Sequence, residues 1–115
     1  MWMDEKEISE AMYRKCLKDD KKEFCVLITD AKWCFYYCHG IKDRSEVRKN
    51  ITGSEWSYNY CRYVKDNSVL RKNITGSKWA YLYCKSIKNR PEVRKHITDL
   101  RWFSLYLEDI EDINS

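Results

Sequence analysis

The sequence predicts an all-α fold, an α-solenoid of 23-residue two-helix repeats with about nine short helices. Three observations lead there. A block of residues recurs at an offset of 23. The apolar positions within each block keep helical spacing. Three Gly and one Pro in 115 residues are too few to turn a long series of strands.

The recurrence runs through the whole middle of the chain. Val47-Arg48-Lys49-Asn50-Ile51-Thr52 returns as Leu70-Arg71-Lys72-Asn73-Ile74-Thr75 and as Val93-Arg94-Lys95-His96-Ile97-Thr98. Trp33, Trp56, Trp79 and Trp102 keep the same offset, as do Tyr37, Tyr60, Tyr83 and Tyr106. Cys38, Cys61 and Cys84 follow, with Leu107 in the fourth copy, and Ile41, Val64, Ile87 and Ile110 complete the set.

Each copy reads as two helices. The first is expected to start at Thr29, Thr52, Thr75 or Thr98, whose hydroxyl can accept a bond from an unpaired amide of the first turn. Glu55 adds capping-box spacing after Thr52. Counting from each Trp, the positions +1, +4, +5 and +8 share with it one face about 140° wide, so the indoles are expected to form an interior spine. The second helix follows Asp43, Asp66 or Asn89, each read as its cap, with Glu46 and Glu92 three residues later. Pro91 sits in a first turn, where a missing amide costs nothing. Val47 and Ile51, Leu70 and Ile74, and Val93 and Ile97 are four apart and face one way.

The ends differ. Residues 20–29 match a second helix, so repeats run from 20 to 98. Residues 1–19 hold a helix with Ile8, Met12, Cys16 and Leu17 inward, which lacks the Trp and reads as an N-terminal cap. Residues 99–115 form a C-terminal cap helix that buries Trp102, Phe103, Tyr106, Leu107 and Ile110. It ends in an acidic tail of Glu108, Asp109, Glu111 and Asp112. A 23-residue hairpin cannot bury its own apolar faces, so the stack itself is the core of a single domain.

The segment Gly76-Ser77-Lys78-Trp79-Ala80-Tyr81-Leu82-Tyr83-Cys84-Lys85-Ser86-Ile87, followed by Asn89-Arg90-Pro91-Glu92, resembles short tandem repeats with a W-A-Y-x-Y-A core found in bacteriophage and bacterial proteins. The resemblance spans about residues 20–110. Cys or Leu replaces the second Ala, and one copy keeps Arg-Pro-Glu. It implies a small helical scaffold, phage-encoded, that acts by binding a host protein such as an anti-phage defence (CRISPR-type) component. It brings no catalytic residues and no cofactor.

The remaining chemistry is sparse. Six Cys could mean disulfides or metal. However, Leu107 fills the column of Cys38, Cys61 and Cys84, so that column needs volume rather than sulfur. Cys34, Cys38 and His39 fall short of the four ligands of a structural zinc site. The only histidines, His39 and His96, occupy different positions of different copies, and no glycine-rich phosphate loop occurs. The expectation is no enzyme, no metal and no cofactor. No run of 18 apolar residues suits a membrane span. The start, Met1-Trp2-Met3-Asp4-Glu5, has no secretory pattern, which with reduced thiols points to the cytoplasm, that of the host if phage-encoded.

Charge is uneven. Residues 42–96 carry 14 Lys/Arg against 5 Asp/Glu, whereas residues 97–115 carry 1 against 5. Two columns are candidate partner-binding surfaces. On the first helices, Phe35, Tyr58 and Tyr81 lie two past each Trp, just beyond the predicted core face. One turn on come His39, Arg62 and Lys85. Large aromatics and Arg are the side chains that anchor interfaces, and packing between adjacent repeats is the alternative use of these aromatics. On the second helices run Lys49, Lys72 and Lys95, flanked by Arg48, Arg71 and Arg94, and preceded by Lys42, Lys65 and Lys88. The leading expectation is a protein-binding scaffold. Nucleic-acid binding through the Arg/Lys ladder is the alternative, and self-association through the C-terminal helix is a third.

Overall fold

Among residues 3–113, which the computed structural model describes with side chains through residue 110, the chain forms nine helices and no strand. Two compact units divide it. The first, Met1–Thr52, holds α1 (Glu5–Lys18), α2 (Lys22–Cys25), α3 (Ala31–Gly40) and α4 (Ser45–Arg48). The second, Gly53–Ser115, holds α5 (Ser54–Tyr63), α6 (Ser68–Arg71), α7 (Ser77–Ser86), α8 (Pro91–Arg94) and α9 (Leu100–Ile113). In the first unit α1 packs on α2 and α3, and α3 on α4. In the second α5 packs on α6 and α7, and α7 on α8 and α9. Glu111 and Asp112 of the predicted tail lie outside the described side chains.

The four-residue helices are single turns that could not hold their shape alone. Tertiary burial fixes them: Cys25, Val47, Leu70 and Val93 are buried, and so are Ile28, Ile51, Ile74 and Ile97 just beyond. The caps differ from expectation. Asp30, Gly53 and Gly76, not the preceding threonines, cap α3, α5 and α7. Arg44, Asn67 and Arg90 occupy the cap positions of α4, α6 and α8, one residue after Asp43, Asp66 and Asn89. Only Asn67 bonds its turn with a side chain, to the amides of Val69 and Leu70.

A serine of an earlier long helix ties down the chain just before α7 and before α9. The Ser54 hydroxyl accepts from the Thr75 and Gly76 amides at 3.1 and 2.9 Å and donates to the Asn73 carbonyl. Ser77 does the same for Thr98 and Asp99, both at 3.0 Å. A Cβ on Gly76 would stand 3.4 Å from the Ser54 Oγ, so glycine leaves room for that approach. Ser54→Ala would strand two amide donors and is expected to cost about 1–2 kcal/mol. Chemical denaturation of the variant checks this.

The same bond identifies α1 as a shifted copy of the repeat. Ser9 accepts from the Thr29 and Asp30 amides, both at 3.0 Å. Ser9, Tyr13 and Cys16 have the spacing of Ser54, Tyr58 and Cys61 and of Ser77, Tyr81 and Cys84. Tyr13 meets Trp33 with ring centroids 5.5 Å apart, as Tyr58 meets Trp79 at 5.5 Å and Tyr81 meets Trp102 at 5.7 Å. One residue is missing after Cys16. The Tyr37, Tyr60 and Tyr83 carbonyls each accept from the amides four and five residues on, whereas the Lys15 carbonyl accepts only from Asp19. In this register Ile8 falls in the column of Gly53 and Gly76, and Ile8 and Leu17 are 38% and 54% exposed rather than inward. Leu17 falls in the column of Arg62 and Lys85.

The core itself is not the predicted indole spine. Trp33, Trp56, Trp79 and Trp102 are half-buried. Tyr37, Tyr60 and Tyr83 are 0% exposed and Tyr106 is 2% exposed. An indole placed where helices meet has an edge in water, while the residue one turn later points to the centre of the layer. In α9, Phe103 and Leu107 are 40% and 52% exposed, against the prediction. Their counterparts Ala80 and Cys84 lie on α7, which has α9 to cover them.

All six thiols are buried and unpaired. Burial pushes Cys34 and Cys38 up to about 12 and Cys16 and Cys61 up to about 11, so they are poor nucleophiles. No helix among the described residues is long and apolar enough to cross a membrane.

Candidate functional site

The predicted aromatic column does not reach the surface. Phe35, Tyr58 and Tyr81 are 7%, 6% and 5% exposed. Tyr58 and Tyr81 lie against the next indole, which is the packing use weighed beside the binding one. The pairing one turn on is as predicted, but it serves the fold. His39 stacks on Phe35 at 5.6 Å. Arg62 donates to the Tyr58 hydroxyl at 3.3 Å. Lys85 donates to the Tyr81 hydroxyl at 3.3 Å and pairs with Asp109 at 3.4 Å, while Tyr81 donates to Asp109. His39, Arg62 and Lys85 are exposed cations or imidazole held over buried rings, so they make no aromatic hot spot.

The second column divides in two. Its arginines are engaged with the residues misread as caps. Arg48 meets Asp43 at 2.9 Å, Arg71 meets Asp66 at 3.2 Å, and Arg94 donates to Asn89 at 3.4 Å. Asp66 is a hub. It accepts from the Tyr83 hydroxyl at 2.8 Å, from Arg71 Nε and from Arg90 Nη2 at 3.1 Å, while Arg90 Nε donates to the Tyr83 oxygen at 2.9 Å. Asp20 plays this part in the first unit, accepting from Tyr37 at 2.7 Å and from Arg44 at 3.2 Å. At Asp66 desolvation pushes the carboxyl upward, but the Tyr83, Arg71 and Arg90 donors outweigh it and hold the carboxyl below its usual range. Burial and the Asp66 acceptor push Tyr83 upward. Tyr106 finds the neutral Asn89 instead, at 3.1 Å.

The lysines are not engaged. Lys49, Lys72 and Lys95 are exposed and have no ion-pair partner among the described residues. In the second unit, Lys72 and Lys95 line a groove of about 440 Å³ together with Ser68, Arg71, Glu92 and His96. Arg71, only 14% exposed, also meets Glu92 at 3.2 Å, and Glu92 is 54% exposed. Glu92 is held below the usual carboxylate range, first by its own backbone amide and then by Arg71.

The groove therefore gathers two of the nine predicted partner-binding residues, Lys72 and Lys95, with the flanking Arg71 and with Ser68, Glu92 and His96, which the sequence analysis does not place there. His96 and Ser68 carried no signal beyond sitting near the repeated lysines. Glu92 reads from the sequence as a capping residue and as part of the Arg-Pro-Glu motif, not as a site residue. Among the described residues no group of three or more His, Cys, Asp or Glu is placed to hold a metal ion. No family model, no curated protein and no solved structure matches this chain.

Proposed function

We propose that the chain is a non-enzymatic scaffold that binds a protein partner through the lysine face of its second helices, and that its 23-residue repeats are of the α-solenoid type. The recurring serine bond, the tyrosine-to-aspartate bond and the shared register in both units support the solenoid. The observation that carries the functional reading is the split between neighbouring cations. The arginines are consumed internally, and the lysines beside them are left exposed in repeating positions. Such a row complements an acidic protein face and would set the encounter rate and register of docking. The resemblance to phage-borne repeats adds a host protein, such as a defence component, as the partner class.

Nucleic acid is the second reading, favoured by the same row, because cations one repeat apart can contact phosphates. It is weakened by the burial of Tyr58 and Tyr81, the rings expected to stack on bases, and by the acidic sign of residues 97–115.

Affinity capture from lysate, with and without nuclease, separates the two. A protein retained after nuclease treatment is expected. Lys72→Glu with Lys95→Glu should change folding by less than about 0.5 kcal/mol, since both side chains are exposed and unpaired. The pair should lower capture at least about tenfold. Unchanged capture by the double variant refutes the assigned face. A steep salt dependence, approaching about −0.9 in log–log slope per phosphate contacted, together with loss of all partners on nuclease treatment, would replace the protein reading by the nucleic-acid one.

A further inference from the structure

We propose that the groove between α6 and α8 receives a phosphomonoester dianion carried by a side chain of the partner protein, with Glu92 as the internal carboxylate it displaces. This rests on the reading of the second-helix face as the contact surface and specifies what that surface grips.

The charge count favours a dianion. Arg71, Lys72 and Lys95 line the groove with a single lining carboxylate, Glu92. Asp66 neutralises part of Arg71 from behind. With Glu92 in place the groove is cationic through its two lysines, and with Glu92 swung out it is more so. A phosphomonoester carries about −1.5 to −2 at neutral pH and offers three acceptor oxygens. A backbone phosphodiester carries one charge. Hydroxyl and imidazole groups from Ser68 and His96 complete a donor set suited to several oxygens.

Geometry supplies the exchange. Arg71 Nε and Nη1 point to different carboxylates, Asp66 at 3.2 Å and Glu92 at 3.2 Å. Asp66 is fixed by Tyr83 and Arg90 as well, so it keeps the guanidinium in place. Glu92 is half in water and has Arg71 as its side-chain partner in the groove. With its Glu92 end half in water, the pair is partly screened and yields to a stronger anion. Nη1 would pass from Glu92 to the incoming phosphate without moving the arginine. The free side chains of Lys72 and Lys95 then close on the ligand from the two helices.

The test uses the full chain labelled with ¹⁵N, titrated with inorganic phosphate, with a phosphoserine peptide flanked by Gly and Ser, with its unphosphorylated twin, and with dimethyl phosphate as the diester. Saturable shifts confined to the amides of residues 68–72 and 92–96 are expected for phosphate and for the phosphoserine peptide only. Glu92→Gln should tighten binding about two- to fivefold, because it removes the competing charge and little else. Lys72→Glu with Lys95→Glu should weaken it at least about tenfold. Equal affinity for the diester, shifts spread over all lysines, or no gain from Glu92→Gln would overturn the site. If phosphate fails to bind while protein capture still depends on Lys72 and Lys95, the phosphate site falls and the scaffold reading stands. If phosphate binds as expected while capture ignores both lysines, the scaffold reading falls instead.

Discussion

Tyr83→Ala is expected to destabilise the protein by about 4 kcal/mol, more than Trp79→Ala, which should cost about 2 kcal/mol. The ranking reverses what the sequence suggests, where the indole looks like the larger core residue. Tyr83 is 0% exposed, whereas Trp79 has one edge in water. Truncating Tyr83 therefore opens a closed cavity, while truncating Trp79 opens a site that water can partly fill. Tyr83→Ala also removes the hydroxyl donated to Asp66, leaving a carboxylate in a half-buried site with one donor fewer. Tyr83→Phe isolates that second part and should cost about 1–2 kcal/mol. Urea unfolding of the three variants provides the comparison. A Trp79→Ala loss equal to or larger than that of Tyr83→Ala would return the indoles to the centre of the layer.

Asp66→Asn is expected to lower stability by about 2 kcal/mol at neutral pH and to flatten the acid limb of the stability curve. The wild-type carboxyl is held below its usual range by Tyr83, Arg71 and Arg90, despite desolvation acting the other way. A depressed folded-state value means that the carboxylate contributes its stabilisation above the unfolded value, about 3.9, and loses it as pH falls through the folded one. Asp66 thus makes the protein weaken below about pH 4, and an amide at this position cannot. Part of the acid sensitivity should survive in the variant, because Asp20 is likewise held down by Tyr37 and Arg44 against its own desolvation. Unfolding free energies measured from pH 2 to 7 for both proteins check the sign. A variant curve parallel to that of the wild type would show that Asp66 does not carry the charge-dependent term. Asn89 is the natural precedent: it meets Tyr106 without a charge, at the position where the last arginine interaction is longest.

Much of the local structure is legible in the spacing of the residues. The offset of 23 placed the helices from α2 onward, and apolar spacing placed α1. The spacing of four between Val47 and Ile51, Leu70 and Ile74, and Val93 and Ile97 picked the buried side of each short turn, because a one-turn helix has one side to bury. The caps were misplaced by one residue for a nonlocal reason. A threonine or aspartate at a helix start reads as a cap when only its neighbours are considered. Here Ser9, Ser54 and Ser77 fix the amides of Thr29 and Asp30, of Thr75 and Gly76, and of Thr98 and Asp99, just before each helix, and the aspartates turn to a tyrosine and arginines instead. The copy in α1 was hidden because a single missing residue after Cys16 breaks the offset that a column comparison relies on, while the Ser9 bond survives the slip.

The candidate site shows the same division. Composition and periodicity by themselves determined that this chain is helical and repeated, and that lysines recur beside arginines on the second helices. These follow from spacing along one strand of chain, which local sterics and burial translate into helices directly. Tertiary structure alone decided that tyrosines rather than tryptophans fill the centre, that Phe35, Tyr58 and Tyr81 are interior, and that the arginines are spent on Asp43, Asp66 and Asn89 while the lysines are left over. The physical reason is that each arginine's partner, five residues earlier in its own repeat, reads as a helix cap until the turn is folded, and that which side chain is buried depends on atoms about twenty residues away. That distance leaves no mark in the pattern of any single repeat.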